Sequence, residues 1–304
     1  MRIFVLGAEG QVARSLREAA ADRPRITLGV GARPEVDLCR PQTILPALRA
    51  FEPDLVVNPA AYTAVDKAES EARAAFAINR DGAGAAAAAA AAVDAPIVHL
   101  SSDYVFDGAK PGPYVESDPV APQGVYGRSK LGGEWAVAAA NPRNIIFRTS
   151  WVYAPFGANF VRTMLRLAGE RDTLRVVDDQ LGRPTYAPDI AAAILAIAGR
   201  LEEAGWRDAY AGVTHLAGPT DLSWCGFARA IVRGAAARGG PAPTVEAITT
   251  ADHPTPARRP ANSRLATQRL AALFGVRLPP LATSLDACLD RLVGPVLEPG
   301  GTGP

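Results

Sequence analysis

Ile3-Phe4-Val5-Leu6-Gly7-Ala8-Glu9-Gly10-Gln11-Val12-Ala13 places an apolar run, a glycine turn and a helix start in immediate succession. Ile3 to Leu6 has the continuous apolar character of a strand buried on both faces. Gly7 permits a tight turn. Gly10 lets the backbone approach a pyrophosphate, and Ala13 is small enough for close helix–strand packing. A helix that starts here offers free N–H groups and its positive dipole end to phosphates. The spacing is GxxGxxA and not GxGxxG, and tight packing alone could require such glycines. The strand–turn–helix setting is what favours a dinucleotide.

Downstream, the same alternation repeats. Strands are expected at Ile26 to Val30, Leu55-Val56-Val57, Ile97 to Leu100 and Asn144 to Arg148. Between them lie helices at about Gln11 to Ala21, Thr43 to Phe51, Ala68 to Val93 and Gly127 to Ala140. Apolar strands separated by helices predict an α/β fold, a doubly wound, Rossmann-like parallel sheet covered on both faces. After about Trp151 the pattern loosens, and Pro, Gly and Arg punctuate it. Residues 1–150 are expected to form the dinucleotide-binding domain. Residues 151–295 are expected to form mainly a smaller, interwoven C-terminal substrate-binding lobe, with strands near 175–177 and 213–216 returning to the first sheet. The Gly/Pro-rich tail 296–304 reads as disordered.

Composition narrows the function classes. The 304 residues are 48% hydrophobic and 21% charged, as in a globular protein. A net charge of +1 gives no electrostatic case for nucleic acid or an anionic membrane. No apolar run approaches the ~18 residues of a membrane span. The strand-like run begins at Arg2, so no signal peptide is expected. Cys39, Cys225 and Cys288 are odd in number and far apart, which suggests neither a disulfide framework nor a metal cluster and fits a reduced cytoplasmic location. His99, His215 and His253 are scattered; the first two lie in apolar strands and read as satisfied core residues. No metal is expected.

Only three of the 32 basic residues are lysines: Lys67, Lys110 and Lys130. In so arginine-rich a chain, a retained lysine points to ammonium chemistry that a guanidinium does not supply. Lys130 follows Tyr126 in Tyr126-Gly127-Arg128-Ser129-Lys130. Positions i and i+4 share one helix face, and an ammonium beside a phenol lowers its pKa and makes it a usable acid/base. An ordinary surface pair has the same spacing. Ser101-Ser102-Asp103-Tyr104 follows a strand at the sheet edge where ligands bind in such folds, and Asn58-Pro59-Ala60-Ala61-Tyr62-Thr63 follows another. Serines there are also common turn residues. With Tyr126 and Lys130, Ser102 completes a set suited to polarising one carbonyl oxygen. No acid ends the second strand; Arg33 reads equally as a partner for a 2′-phosphate or as a solvated loop residue. The reading leans to NADPH, with NADH as the alternative.

These residues bring the chain close to a family. It resembles the extended short-chain dehydrogenase/reductases and, within them, the dTDP-4-dehydrorhamnose reductases. The matching segments are GAEGQVARSL (7–16), VDL (36–38), NPAAYTAVDKAE (58–69), Asn79-x-x-Gly82, LSSDYVFDG (100–108), YGRSKLGGE (126–134), RTSWVY (148–153), DDQLGRPT (178–185), THLAG (214–218) and RRPANSRL (258–265). The resemblance implies that Gly10, Gln11 and Val12 contact the cofactor pyrophosphate, that Asp37 and Leu38 contact the adenine, and that Ala61, Tyr62 and Thr63 line the nicotinamide half. It implies that Lys130 binds the nicotinamide ribose and tunes Tyr126, that Ser102 and Asp103 face a sugar, and that Trp151 packs against the substrate. Ser102 stands where the family usually has threonine, which keeps the hydroxyl. Asn159, Arg258 and Arg259 are candidates for a sugar-nucleotide diphosphate, each with a surface or capping role as the alternative. The implied reaction is reduction of a nucleotide-sugar ketone by NADPH, in a monomer or homodimer. A nucleotide-sugar epimerase or dehydratase and a non-catalytic NADP-binding regulatory subunit are the competing readings.

Overall fold

The computed structural model describes residues 1–296. The expected tail, beyond Val296, lies outside the described residues. The first half runs β1 (Arg2–Leu6), α1 (Gln11–Ala21), β2 (Thr27–Gly31), α2 (Ile44–Phe51), β3 (Leu55–Asn58), α3 (Val65–Ala68), α4 (Ala72–Phe76), α5 (Ala83–Ala91), β4 (Ile97–Ser102), α6 (Val125–Ala140) and β5 (Asn144–Thr149). The second half runs β6 (Val152–Tyr153), α7 (Phe160–Ala168), β7 (Thr173–Val177), β8 (Leu181–Gly182), β9 (Thr185–Tyr186), α8 (Ala187–Ala204), β10 (Gly212–His215), β11 (Leu222–Ser223), α9 (Trp224–Ala236), β12 (Thr244–Ile248), α10 (Gln268–Phe274) and α11 (Leu281–Leu292).

Six strands form the central sheet in the order β10-β5-β4-β3-β1-β2, with every neighbouring pair parallel. Strands β3, β4 and β5 are buried along their whole length, as a sheet covered on both faces requires. One face packs on α1 and α8 through Leu16, Ile190, Ile194 and Ile197. The other packs on α2, α5 and α6 through Ile44, Leu48, the alanines of α5 and Val137. The chain goes from β1 outward to β2, then crosses back to β3 on the other side of β1. That reversal opens a crevice at the carboxyl ends of β1 and β3, where such sheets bind ligands.

A separate apolar cluster joins α7, α9 and α11 with Tyr153, Leu174, Val176 and Tyr186. The interweaving has a definite form: α8, β10 and α10 return to the first layer structure, while α7, β7, α9, β12 and α11 build the second. The strand at 213–216 does return to the sheet, as β10 beside β5. The one near 175–177 does not: β7 pairs in parallel with β12 in a two-stranded sheet of the second cluster. The physical reason is its alternation. Leu174 and Val176 are buried while Arg175 is exposed, so β7 suits a sheet with one open face.

The long helix expected over 68–93 is interrupted. A short helix ends at Ala68, a second begins at Ala72, and a π-helical segment spans Ala77–Gly82 before α5. Such segments accompany functional sites often, and this one carries Asn79, whose side chain holds a loop of the cleft.

Candidate active site

The crevice is a cleft of about 810 Å³. Gly7, Gly10, Gln11, Val12, Arg33, Asp37, Leu38, Ala61 and Thr63 line one part of it, and Ser102, Asp103, Tyr126, Lys130 and Trp151 line another. Residues drawn from across the first half of the chain thus meet in one place.

The residues of the first part fit a dinucleotide. Gly7 turns the chain with φ of +97°, a conformation that L side chains rarely adopt, and its N–H is held by Gly31 O at 2.6 Å. The first turn of α1 has no side-chain cap and no acidic residue, so its N–H groups stay available to an anion. A Cβ placed on Gly10 would meet no atom within 4 Å, so the space above the helix end is open. Arg33 is exposed at the end of β2 and lines the same cleft. Asp37 is partly tied up, accepting from the Cys39 N–H at 2.9 Å.

The second part is built on β4 and α6. Tyr126 lies in the first turn of α6, with Lys130 one turn on. Of the three lysines, Lys67 is exposed and Lys110 pairs with Asp118 at 2.5 Å, whereas Lys130 is only 2% exposed. Its Nζ donates to Leu100 O at 2.6 Å. Burial pulls the ammonium down to about 8, opposed by the Glu134 carboxylate, so it remains mostly charged at neutral pH. The expected lowering of the Tyr126 pKa by this ammonium is corrected here. Burial raises the phenol well above its ordinary value, the neighbouring Ser102 hydroxyl lowers it in part, and the charges of Asp103 and Tyr104 raise it further. A phenol in this environment is protonated at neutral pH, which is the form a proton donor needs. Tyr104 meets the Tyr126 ring edge-on, centroids 5.4 Å apart, and limits its swing.

Ser102 Oγ donates to Asp103 Oδ1 at 2.9 Å and accepts from the Tyr104 N–H at 3.2 Å. Behind it, Ser101 Oγ donates to Glu134 Oε1 at 2.5 Å. Arg148 grips the same carboxylate from the next strand, Nε to Oε1 at 2.9 Å and the second nitrogen to Oε2 at 2.7 Å. This buried network ties β4, β5 and α6 together directly behind the reacting groups. Sequence reasoning missed it; the signal was Arg148 in an apolar strand and Glu134 one helical turn after Lys130. Trp151 stands on the other wall with φ of +48°, its indole stacked on Trp224 at 3.5 Å.

Four expected site residues, Tyr62, Asn159, Arg258 and Arg259, do not line the cleft. The Tyr62 side chain packs beside Ala68, Ala75 and Val125 and donates to Glu71 Oε2 at 2.6 Å; only its neighbours Ala61 and Thr63 face the cleft. Its backbone is held by Asn79, whose Oδ1 accepts from the Tyr62 N–H at 2.8 Å and whose Nδ2 donates to Tyr62 O at 3.1 Å. Asn159 is the N-cap of α7: its Oδ1 accepts from the Arg162 N–H, and its Nδ2 donates to Gln11 Oε1 at 3.0 Å and Ala154 O at 2.8 Å. Both ends of its amide are thus engaged within the protein. Arg259 binds Asp66 Oδ2 at 2.6 Å and Tyr104 Oη at 3.3 Å, and Arg258 reaches Gln123 on the surface. His99 and His215 are buried, with Nδ1 atoms bonded to Asn58 and to Ala266 O. Among the described residues no three His, Cys, Asp or Glu side chains converge as a metal would require. No helix of the described residues is long and apolar enough to cross a membrane.

Comparison with known proteins agrees with this geometry. The family profile described as the RmlD substrate binding domain matches residues 1–293. A dTDP-4-dehydrorhamnose reductase of Sinorhizobium fredii is 50% identical over 279 residues, 92% of this chain and 93% of that protein. The Escherichia coli dTDP-4-dehydrorhamnose reductase is 40% identical, with 96% of this chain and 98% of that one covered. Among solved structures, the dTDP-4-dehydrorhamnose reductase of Bacillus anthracis in complex with NADP superimposes with a TM-score of 0.87 at 31% identity, covering 95% of this chain and 98% of that one. A UDP-glucose 4-epimerase of Brucella ovis, 18% identical with a TM-score of 0.75, shares the fold.

Proposed function

The chain belongs to the dTDP-4-dehydrorhamnose reductase family, and on that premise we propose how its residues carry out the family's reaction. The reaction is reduction of the C4 ketone of dTDP-4-dehydro-L-rhamnose to dTDP-L-rhamnose. Bound NADPH supplies the hydride. Gly10, Gln11 and Val12 hold the pyrophosphate at the start of α1, and Lys130 holds the nicotinamide ribose. The sugar lies against Ser102, Asp103 and Trp151. Tyr126 gives its phenolic proton to the C4 oxygen as that oxygen becomes an alkoxide. Ser102 and Tyr126 hold the oxygen by hydrogen bonds while charge develops, where such help lowers the barrier most. Lys130 is buried at the base of this set, where its charge acts more strongly than it would in water.

The observation that carries this reading is the meeting of Tyr126, Lys130 and Ser102 in the cleft that the Gly7 turn opens. Tyr126→Phe is the direct test. It removes one hydroxyl and leaves the phosphate cradle untouched. Turnover is expected to fall by about 10²–10⁴, the usual worth of a general acid, with NADPH affinity by fluorescence titration unchanged. A variant that turns over at the wild-type rate would show that another group supplies the proton.

A further inference from the structure

Ser102 has a single hydroxyl proton, and the structure directs it at Asp103 Oδ1, 2.9 Å away. Its oxygen accepts from the Tyr104 N–H at 3.2 Å. A hydroxyl bonded in this way cannot also donate to a substrate oxygen. The arrangement therefore opposes the role of Ser102 in holding the forming alkoxide unless something reverses the bond.

Asp103 can reverse it. The residue is 4% exposed and lines the cleft, and its Oδ2 has no hydrogen-bond partner. The groups that steady its carboxylate are the hydroxyls of Ser102 and Ser263 and local backbone N–H groups, none of them a cation. The titratable groups facing it are Tyr126 from α6 and Tyr104 from the turn after β4. Arg259, beyond Tyr104, is engaged by Asp66.

We propose that Asp103 is the positioning residue that sets the direction of the Ser102 hydroxyl. As a carboxylate it takes the Ser102 proton; as a neutral acid it donates to Ser102 Oγ, and the Ser102 proton turns to the C4 oxygen of the substrate. No O–H bond of Ser102 breaks. The hydroxyl rotates, and the proton that Asp103 carries comes from solvent while the cleft is open. The inference rests on Ser102 acting as an oxyanion donor. Burial pushes the Asp103 carboxyl up to about 6, and a sugar that displaces water from the cleft raises it further. The sign follows directly. The neutral form exists below this value, and the productive Ser102 orientation is lost as pH rises through it.

The test is the pH profile of kcat/KM for sugar-nucleotide reduction by the full chain, with NADPH binding confirming that each variant is folded. Wild type is expected to lose roughly tenfold between about pH 6 and 7.5, the slope of one ionisation. Asp103→Asn, whose amide donates to Ser102 at every pH, is expected to lose that limb whatever its plateau rate. Ser263→Ala removes a hydroxyl that favours the carboxylate, so its limb moves to higher pH. A further fall near pH 8, from Lys130, stays in place in both variants. The proposal is overturned if Asp103→Asn keeps the wild-type limb or if Ser263→Ala leaves it unmoved while Ser102→Ala is impaired. If Ser102→Ala matches wild type at every pH, the donor role of Ser102 falls first, and this proposal with it.

Discussion

At Tyr126, one side chain shows what a sequence does and does not disclose. The scarcity of lysine singled out Lys130, and helical spacing put it beside Tyr126. Burial was not legible, and burial decides the sign: the phenol is raised, not lowered. For a reductase this is the useful direction, since the tyrosine must hold a proton before it gives one. Asn159 teaches the converse. An amide near a cleft reads as a ligand contact, but its φ of −158° and its bond from the Arg162 N–H make it a helix cap. Asn159→Ala is therefore expected to cost about 1 kcal/mol of stability, in the range for lost N-caps, and to leave the KM for the sugar nucleotide nearly unchanged. Denaturant melts and steady-state kinetics check both. A tenfold rise in that KM with no loss of stability would return Asn159 to the substrate site.

Among the elements, the strands and helices of the first half were legible because their apolar runs repeat with little ambiguity. The break between Ala68 and Ala83 was not, since alanine favours a helix throughout and does not signal a π turn. Its origin is tertiary. Asn79 points its amide at the Tyr62 backbone and at Ser129 Oγ, 3.0 Å away on α6. At the same level α6 presents Gly133, where a Cβ would stand 2.0 Å from Asn79 O. The close contact holds the Tyr62 loop and the catalytic helix in one block. Gly133→Ala must push these elements apart and is expected to destabilise by about 1–3 kcal/mol, as overpacking does. A lower chemical denaturation midpoint with an unchanged slope is the signature; an unchanged midpoint would mean the two elements are free to separate. The strand β7 was misplaced because an arginine in an apolar run does not disclose its exposure: Arg148 of β5 is buried in the central sheet, whereas Arg175 of β7 is exposed on a two-stranded one.

Over the whole molecule, the parts have a single logic. Strand order places the crevice between β1 and β3, the glycine turn and the uncapped start of α1 form one end of it, and β4 with α6 bring hydroxyl, phenol and ammonium to its other end. The second cluster adds Trp151, stacked on Trp224 and passing so close to Gly182 that a Cβ there would lie 2.2 Å from the indole. Stacking and close approach together fix the position of this wall. Membership of the reductase family is what separates the chain from an epimerase that regenerates its cofactor and from a protein that only binds NADPH. The measurement that decides is oxidation of NADPH, followed at the nicotinamide absorbance, with and without dTDP-4-dehydro-L-rhamnose generated in situ. The account predicts stoichiometric, substrate-dependent oxidation with dTDP-L-rhamnose as product. Tight NADPH binding with no oxidation on addition of the sugar nucleotide would contradict it.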